Sequence, residues 1–219
     1  MGAGREPLQV KRPRTDGMAK SQALPRLYVY KLTTDNGGAP AVYRNKLSLA
    51  ICKPKIRAAA QVGDWIVGVA GQGLLPSAPL VYLMQVTEVI EHGTYYASKG
   101  YKTRPDAVYQ WKRNKLAWKP GAAFHGPEDT LRDVGVGPRY EVARVLLSNR
   151  YRYCGRAASP SYSAIAPLAH KMARNIGRAY RVNHSDAVFD AWMKVIQVAF
   201  KKPQVRAVPI EAKEEPCRH

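Results

Sequence analysis

The chain has 219 residues, and 35 Lys and Arg stand against 16 Asp and Glu, a formal net charge of +19. Hydrophobic residues make up 46% of it, enough for a packed core, which excludes wholesale disorder; no stretch approaches the roughly 18 consecutive apolar residues of a membrane span. Three widely separated cysteines, Cys52, Cys154 and Cys217, with no C-x-x-C among them, argue against a disulfide framework or a zinc knuckle.

The charge makes a polyanion the expected partner, nucleic acid or a nucleotide in preference to a membrane surface. The N-terminus is basic but has no apolar h-region, so no secretory signal is visible and a cytoplasmic location is expected. Residues 1–25 read as a disordered basic tail broken by glycine and proline, with Lys11, Arg12 and Arg14 in one short run. Residues 27–33, LYVYKLT, are predicted as a strand of aromatic and β-branched residues. Asp35-Asn36-Gly37-Gly38-Ala39-Pro40 is a dense turn signal. Residues 46–52 form a second extended piece, and Pro54 fits the first position of a short helix running to residue 61. After a turn at 62–64, strands are predicted over 65–70 and 80–90, joined by a Gly- and Pro-rich loop.

Residues 91–138 have weak periodicity and frequent breakers. Tyr95, Tyr96, Tyr101, Tyr109, Trp111 and Trp118 are interleaved there with lysines and arginines. A long irregular insertion is expected, with one helical turn near 104–110. Such a mixture suits a groove for single strands or an extruded base, and equally a solvated segment. Residues 140–148 read as a strand and 149–160 as a loop. Two helices follow. The first shows Ile165, Leu168, Met172 and Ile176 as one apolar stripe. The second has Ser185 as N-cap, Val188, Ala191, Trp192, Val195 and Ala199 on its buried face, and Lys201-Lys202 at its end. The expected organisation is a single α+β domain over 26–203, with a C-terminal tail over 204–219.

Phosphate-loop, nucleophile-elbow and zinc-protease motifs are absent, and the histidines share no ligand spacing with cysteines or carboxylates. No metal and no cofactor are expected. Cys52 ends an apolar strand and reads as a buried structural cysteine; a Cys–His nucleophile would require Cys52 or Cys154 to meet a distant histidine. Four features could carry function. Asp35, Asn36 and Gly37 could offer side chains and backbone amides to a base edge, or simply form a hairpin turn. Lys53, Lys55 and Arg57 at a helix start could hold a phosphate. Asp64 and Trp65 could border a base, or cap a turn and enter the core. Tyr151 and Tyr153 could stack on bases while Arg152 contacts a phosphate, or pack as an ordinary loop.

The succession of strand, turn, short basic helix, Val62-Gly63-Asp64, strand and long strand resembles the PUA-like superfamily, with its ASCH, EVE and YTH domains. The segments 27–31, 35–40, 49–57 and 62–68, with Val145-Leu146-Leu147-Ser148 and Tyr151-Arg152-Tyr153-Cys154-Gly155, are similar to the nucleotide modification associated domain family, of the second or third type. That resemblance implies a small, partly open PUA-like β-barrel with helices packed on one side. It also implies recognition or processing of modified bases in DNA, in base-modification or phage-conflict systems of a bacterial or phage-infected cell. On this reading the protein is a binding module in preference to an enzyme. Asp35, Asn36, Gly37, Asp64, Trp65, Tyr151 and Tyr153 would serve the base, and Lys53, Lys55, Arg57 and Arg152 the phosphate. The alternative is an enzyme acting on a nucleotide or base, a transferase or glycosidic-bond hydrolase, with Asp35 or Asp64 as acid, base or nucleophile.

Overall fold

The computed structural model describes residues 24–177, 179–204 and 206–211. The basic tail expected at the N-terminus lies almost wholly outside them, as does the end of the expected C-terminal tail. In chain order the elements are β1 (Leu27–Leu32), β2 (Ala41–Tyr43), β3 (Lys46–Leu49), α1 (Pro54–Ala59), β4 (Trp65–Ala70), β5 (Leu80–Gln85), β6 (Glu88–Ile90), α2 (Thr94–Ala97), β7 (Tyr109–Lys112), β8 (Lys115–Trp118) and α3 (Thr130–Val134). Then come β9 (Val145–Ser148), β10 (Arg150–Tyr153), α4 (Tyr162–Ile165), α5 (Pro167–Asn175), β11 (Tyr180–Arg181) and α6 (Asp186–Lys201).

They build a mixed α+β fold in four layers. The central sheet has the order β10-β5-β4-β1-β11, with β1 and β4 parallel and the other pairs antiparallel. A second sheet, β2-β3-β9-β6, covers one of its faces, and α4, α5 and α6 cover the other. Side-chain alternation sorts the residues. Leu27, Val29, Trp65 and Val67 point at Ala169, Ala173, Trp192, Val195 and Ile196 of the helices. Tyr28, Tyr30, Leu32 and Ile66 point at Leu47, Leu49 and Leu146 of the second sheet. Because both faces of β4 are covered, its sequence is apolar throughout. Gly68 in that strand is required by crowding: a Cβ there would lie 2.3 Å from the Tyr82 ring.

Two bent strands join the sheets. The expected strand over 80–90 breaks at Val86 and Thr87, so that β5 belongs to the central sheet and β6 to the second. The expected loop after residue 148 is instead β10, which carries β9's chain into the central sheet after one residue. The two corners are tied together, Thr87 N–H donating to Leu147 O (2.9 Å) and Asn149 N–H to Thr87 Oγ1 (3.2 Å). Among the described residues no sheet closes into a barrel; the two sheets are joined by bent strands without pairing at their outer edges.

The expected irregular insertion is ordered. It supplies α2, the β7–β8 hairpin and α3, and it forms the fourth layer. Its aromatics make a core: Tyr95, Tyr96 and Tyr109 are buried with Leu116, Val134 and Tyr140 against Val145 and Leu147. Residues 104–106, expected to start a helical turn, instead place a buried ion pair, Arg104 Nε–Asp106 Oδ1, at 3.3 Å. Asp106 also accepts hydrogen bonds from Ser48 (2.5 Å) and Tyr95 (2.9 Å), and Arg104 reaches the carbonyls of Ala41, Tyr43 and Lys46. This network fastens the insertion to the edge of the second sheet. Of the predicted apolar stripe of the first helix, Ile176 is buried and Met172 packs against the core, whereas Leu168 is 41% exposed and Ala169 and Ala173 face the core. A break at Ala166, before Pro167, splits α4 from α5 and rotates the face.

Replacing Asp106 by Ala leaves Arg104 buried without its counter-charge, and should lower stability by about 3–5 kcal/mol in urea denaturation. Burial is the largest cause that raises the hydroxyl pKa of Tyr30, Tyr82, Tyr95, Tyr96, Tyr109, Tyr153 and Tyr162. Their folded pKa values lie above the unfolded value of about 10. The stability they contribute is therefore complete below that pH and lost as pH rises above it. Phenolate absorbance at 295 nm should rise for these residues only together with loss of the circular-dichroism signal.

Candidate active site

The turn between β3 and α1 carries Cys52 and Lys53, both in the left-handed region, with φ 57° and φ 44°. Such a conformation costs non-glycine residues on the order of 1–3 kcal/mol each and persists only where the surroundings enforce it. Here Arg57 enforces it. Its Nε donates to Cys52 O (2.8 Å) and its backbone N–H to Lys53 O (3.0 Å). Pro54 then opens α1 where no amide hydrogen is needed.

Cys52, 8% exposed, faces His125 across the bend of the chain, with Sγ 3.1 Å from Nε2. On the far side of the ring, Nδ1 makes a short hydrogen bond to Asp133 Oδ2, at the end of α3. Burial alone would raise the Asp133 pKa. The hydrogen bond and charge of His125, the charge of Arg57 and the Tyr109 hydroxyl (2.8 Å) outweigh it and hold the carboxyl below its ordinary value. Asp133 is therefore an anion; Nδ1 of the ring is turned toward it and Nε2 toward the thiol. Thiol, imidazole and carboxylate stand in the order that thiol nucleophiles use: base beside the nucleophile, anion behind the base.

A second polar cluster adjoins the first. Asp35 is buried, and both its oxygens accept from the Tyr153 hydroxyl (2.8 and 3.0 Å), with Ile210 N–H on Oδ2 (3.0 Å). Burial pushes this carboxyl up, against those two hydrogen bonds. Tyr30 and Tyr82 share a hydroxyl–hydroxyl bond of 2.8 Å. After burial and Tyr82, the Cys52 thiol and Asp35 both act on the Tyr30 hydroxyl, so the two clusters lie within electrostatic reach of one tyrosine. Lys53 Nζ sits 4.8 Å from the centre of the same ring. The Asn36–Gly38 turn closes the near side, with Gly38 against the Phe124 ring just before His125.

The structure brings Asp35, Asn36, Gly37, Lys53 and Tyr153 of the sequence candidates into this neighbourhood. Asn36 Oδ1 accepts Gly38 N–H (3.1 Å) and shapes the turn. Lys55 is exposed on α1. Others lie elsewhere. Arg57 is fully buried, its guanidinium bonded to carbonyls of Cys52, Val142, Arg144 and Asp133, so it has no face for a phosphate. Asp64 caps its turn through Gln61 N–H and pairs with Arg26 at 2.9 Å. Trp65 is in the helix-side core against Phe200, and Tyr151 in the inter-sheet core, so neither ring is offered to a base. Arg152 donates to Ala199, Phe200 and Lys202 carbonyls at the end of α6. Sequence reasoning did not single out His125, which meets Cys52, or Asp133 behind it. The available signal was a cysteine between a strand and a proline-started helix; nothing in the sequence names the histidine 73 residues away. Among the described residues no group of His, Cys, Asp and Glu could hold a metal, and no helix is long and apolar enough to cross a membrane.

The α+β fold thus places a thiol–imidazole–carboxylate array beside a buried carboxylate. The chain belongs to the nucleotide modification associated domain 2 family, whose model matches residues 24–216. Its role is thereby linked to nucleotide or DNA modification. No curated protein and no solved structure matches it.

If His125 acts as base toward Cys52, a variant with Cys154→Ser and Cys217→Ser should be alkylated by iodoacetamide at Cys52. Adding His125→Gln should slow that reaction at least about tenfold at pH 7 and move its rise to higher pH. Equal rates and equal pH profiles would remove the thiol–imidazole assignment.

Proposed function

We propose that the protein is an enzyme that transfers an acyl-type group to a nucleotide or nucleic-acid base through a thioester at Cys52. The carrying observation is the 3.1 Å contact between Cys52 and His125, with Asp133 behind the ring. His125 Nε2 takes the thiol proton as Sγ attacks the donor's carbonyl carbon. The leaving group departs with that proton, and a thioester remains. An amine or hydroxyl of the nucleotide then attacks the same carbon, losing its proton to His125. The carbon–sulfur bond breaks and the departing thiolate recovers the proton. Asp133 keeps the ring oriented and stabilises the imidazolium in both halves.

The family's link to nucleotide modification supports the acceptor class. Lys53 and Lys55 beside the thiol would hold a phosphate, and Asn36 and Gly37 at the turn would border the base. A second reading, a module that binds modified DNA without chemistry, is favoured by one observation. The β7–β8 hairpin exposes Lys112, Arg113 and Lys115 next to Trp111, a cationic tip with an aromatic face. Both readings suit a place in DNA-modification or phage-conflict systems in the cytoplasm, and both suit an opened PUA-like arrangement of the two sheets.

Nucleosides from hydrolysed DNA and from the free nucleotide pool of expressing cells can be compared by mass spectrometry. A nucleoside mass present with the wild-type chain and absent with Cys52→Ala is expected. Identical nucleoside profiles, with DNA binding retained by both, would leave the binding module as the function.

A further inference from the structure

A cavity of about 450 Å³ lies between β10, the turn after it, α4, α6 and residues 206–208. Its volume is in the range of small-molecule sites. Its floor is apolar, built by Leu80, Tyr162, Ile165, Val195, Val198 and Ala199. The polar groups near that floor are already engaged. Tyr162 donates to Ala78 O (2.8 Å), the Gln204 amide pairs with both backbone groups of Tyr153 (3.0 and 3.1 Å), and Arg152 caps α6. A nucleobase lodged there would leave its own edge donors and acceptors without partners, a penalty that disfavours it. The mouth is different. Arg156, Lys202 and Arg206 are exposed there and make no side-chain hydrogen bond or ion pair among the described residues. Among the described residues no acidic one lines the cavity.

We infer that this cavity binds an amphiphilic anion: an aliphatic acyl or alkyl chain on the floor, with a carboxylate or phosphate head held by Arg156, Lys202 and Arg206. Chain burial supplies most of the affinity, and the cations fix the direction of insertion. The inference stands on the cavity alone and does not depend on Cys52 being a nucleophile.

Isothermal titration of the full chain with hexanoate, octanoate, decanoate and octyl phosphate tests it, with octanol and nucleoside monophosphates as comparisons. Binding should tighten about fourfold per added methylene until the cavity is filled. The octanoate and octyl phosphate arms tell a carboxylate head from a phosphate head. Val198→Trp should abolish binding by filling the floor. Arg156→Glu with Lys202→Glu should weaken the anions at least tenfold while leaving octanol unchanged, and alkylation of Cys52 should be unaffected in a folded variant. The chain-length series on the wild-type protein decides the matter if the Trp variant does not fold. No saturable binding, affinity independent of chain length, octanol binding as well as octanoate, or tighter binding of nucleotides would each overturn the proposal.

Discussion

The arrangement around the thiol depends on one buried guanidinium. Arg57 is removed from water entirely. A buried cation is tolerated only when its donors find oxygens and its charge finds an anion. Arg57 meets the first demand with the carbonyls of Cys52, Val142, Arg144 and Asp133, and the second with the Asp133 carboxylate at 3.8 Å. Those partners come from the β3–α1 turn, the chain leading into β9 and the end of α3. Arg144 returns the connection, donating to the carbonyls of Arg57, Ala58 and Ala60 and pairing with Glu91 at 3.0 Å. The distance between Cys52 and Asp133 is thus set by the solvation of two arginines, and His125 fits the gap that remains.

That use of arginine changes the meaning of the net charge. Arg57, Arg104 and Arg144 are buried, and Arg152 is bonded to the end of a helix, so none of these four offers its charge to a partner. Arg57, Arg104 and Arg144 answer carbonyls and one carboxylate each, Asp133, Asp106 and Glu91, and Arg152 answers carbonyls, so none of them adds to an anion-binding surface. The charge available to a polyanion sits on exposed side chains, among them Lys55, the hairpin residues Lys112, Arg113 and Lys115, and the cations at the cavity mouth.

Local signals in the sequence predicted the elements they could reach. The strands at residues 27 and 65, the proline-started helix and the last helix with Trp192 inward all follow from periodicity and capping over a few residues. The misread elements depend on distant partners. Residues 80–90 look like one strand because both halves are apolar, yet the second half pairs with β9, far along the chain. The insertion looks irregular because its tyrosines pack on Val145 and Leu147 from another element, which no window within the insertion displays. The site follows the same division. Asp35, Asn36 and Gly37 were visible as a turn, whereas Cys52, His125 and Asp133 acquire a shared chemistry only when β3, the insertion and α3 are folded together. Trp65 and Tyr151 have the composition of stacking residues, but alternation in the strand turns each ring inward.

The backbone at Cys52 gives the chemical reading independent physical weight. Two other pairs of left-handed residues have a simple cause. Arg44-Asn45 and Arg113-Asn114 are the two-residue loops of the β2–β3 and β7–β8 hairpins, with φ values of 45°, 60°, 49° and 60°, and each ends in asparagine, which tolerates that region. Cys52-Lys53 closes no hairpin. It bends a strand into a helix, where glycine would satisfy the geometry without steric cost. The chain instead carries two side chains at the strained positions, and each has a partner: the thiol meets His125, and the ammonium lies over Tyr30. A turn that only had to reverse direction would gain nothing from either side chain. The strain is balanced by the hydrogen bonds of Arg57, and its result is to hold a thiol against an imidazole whose own orientation a buried carboxylate fixes.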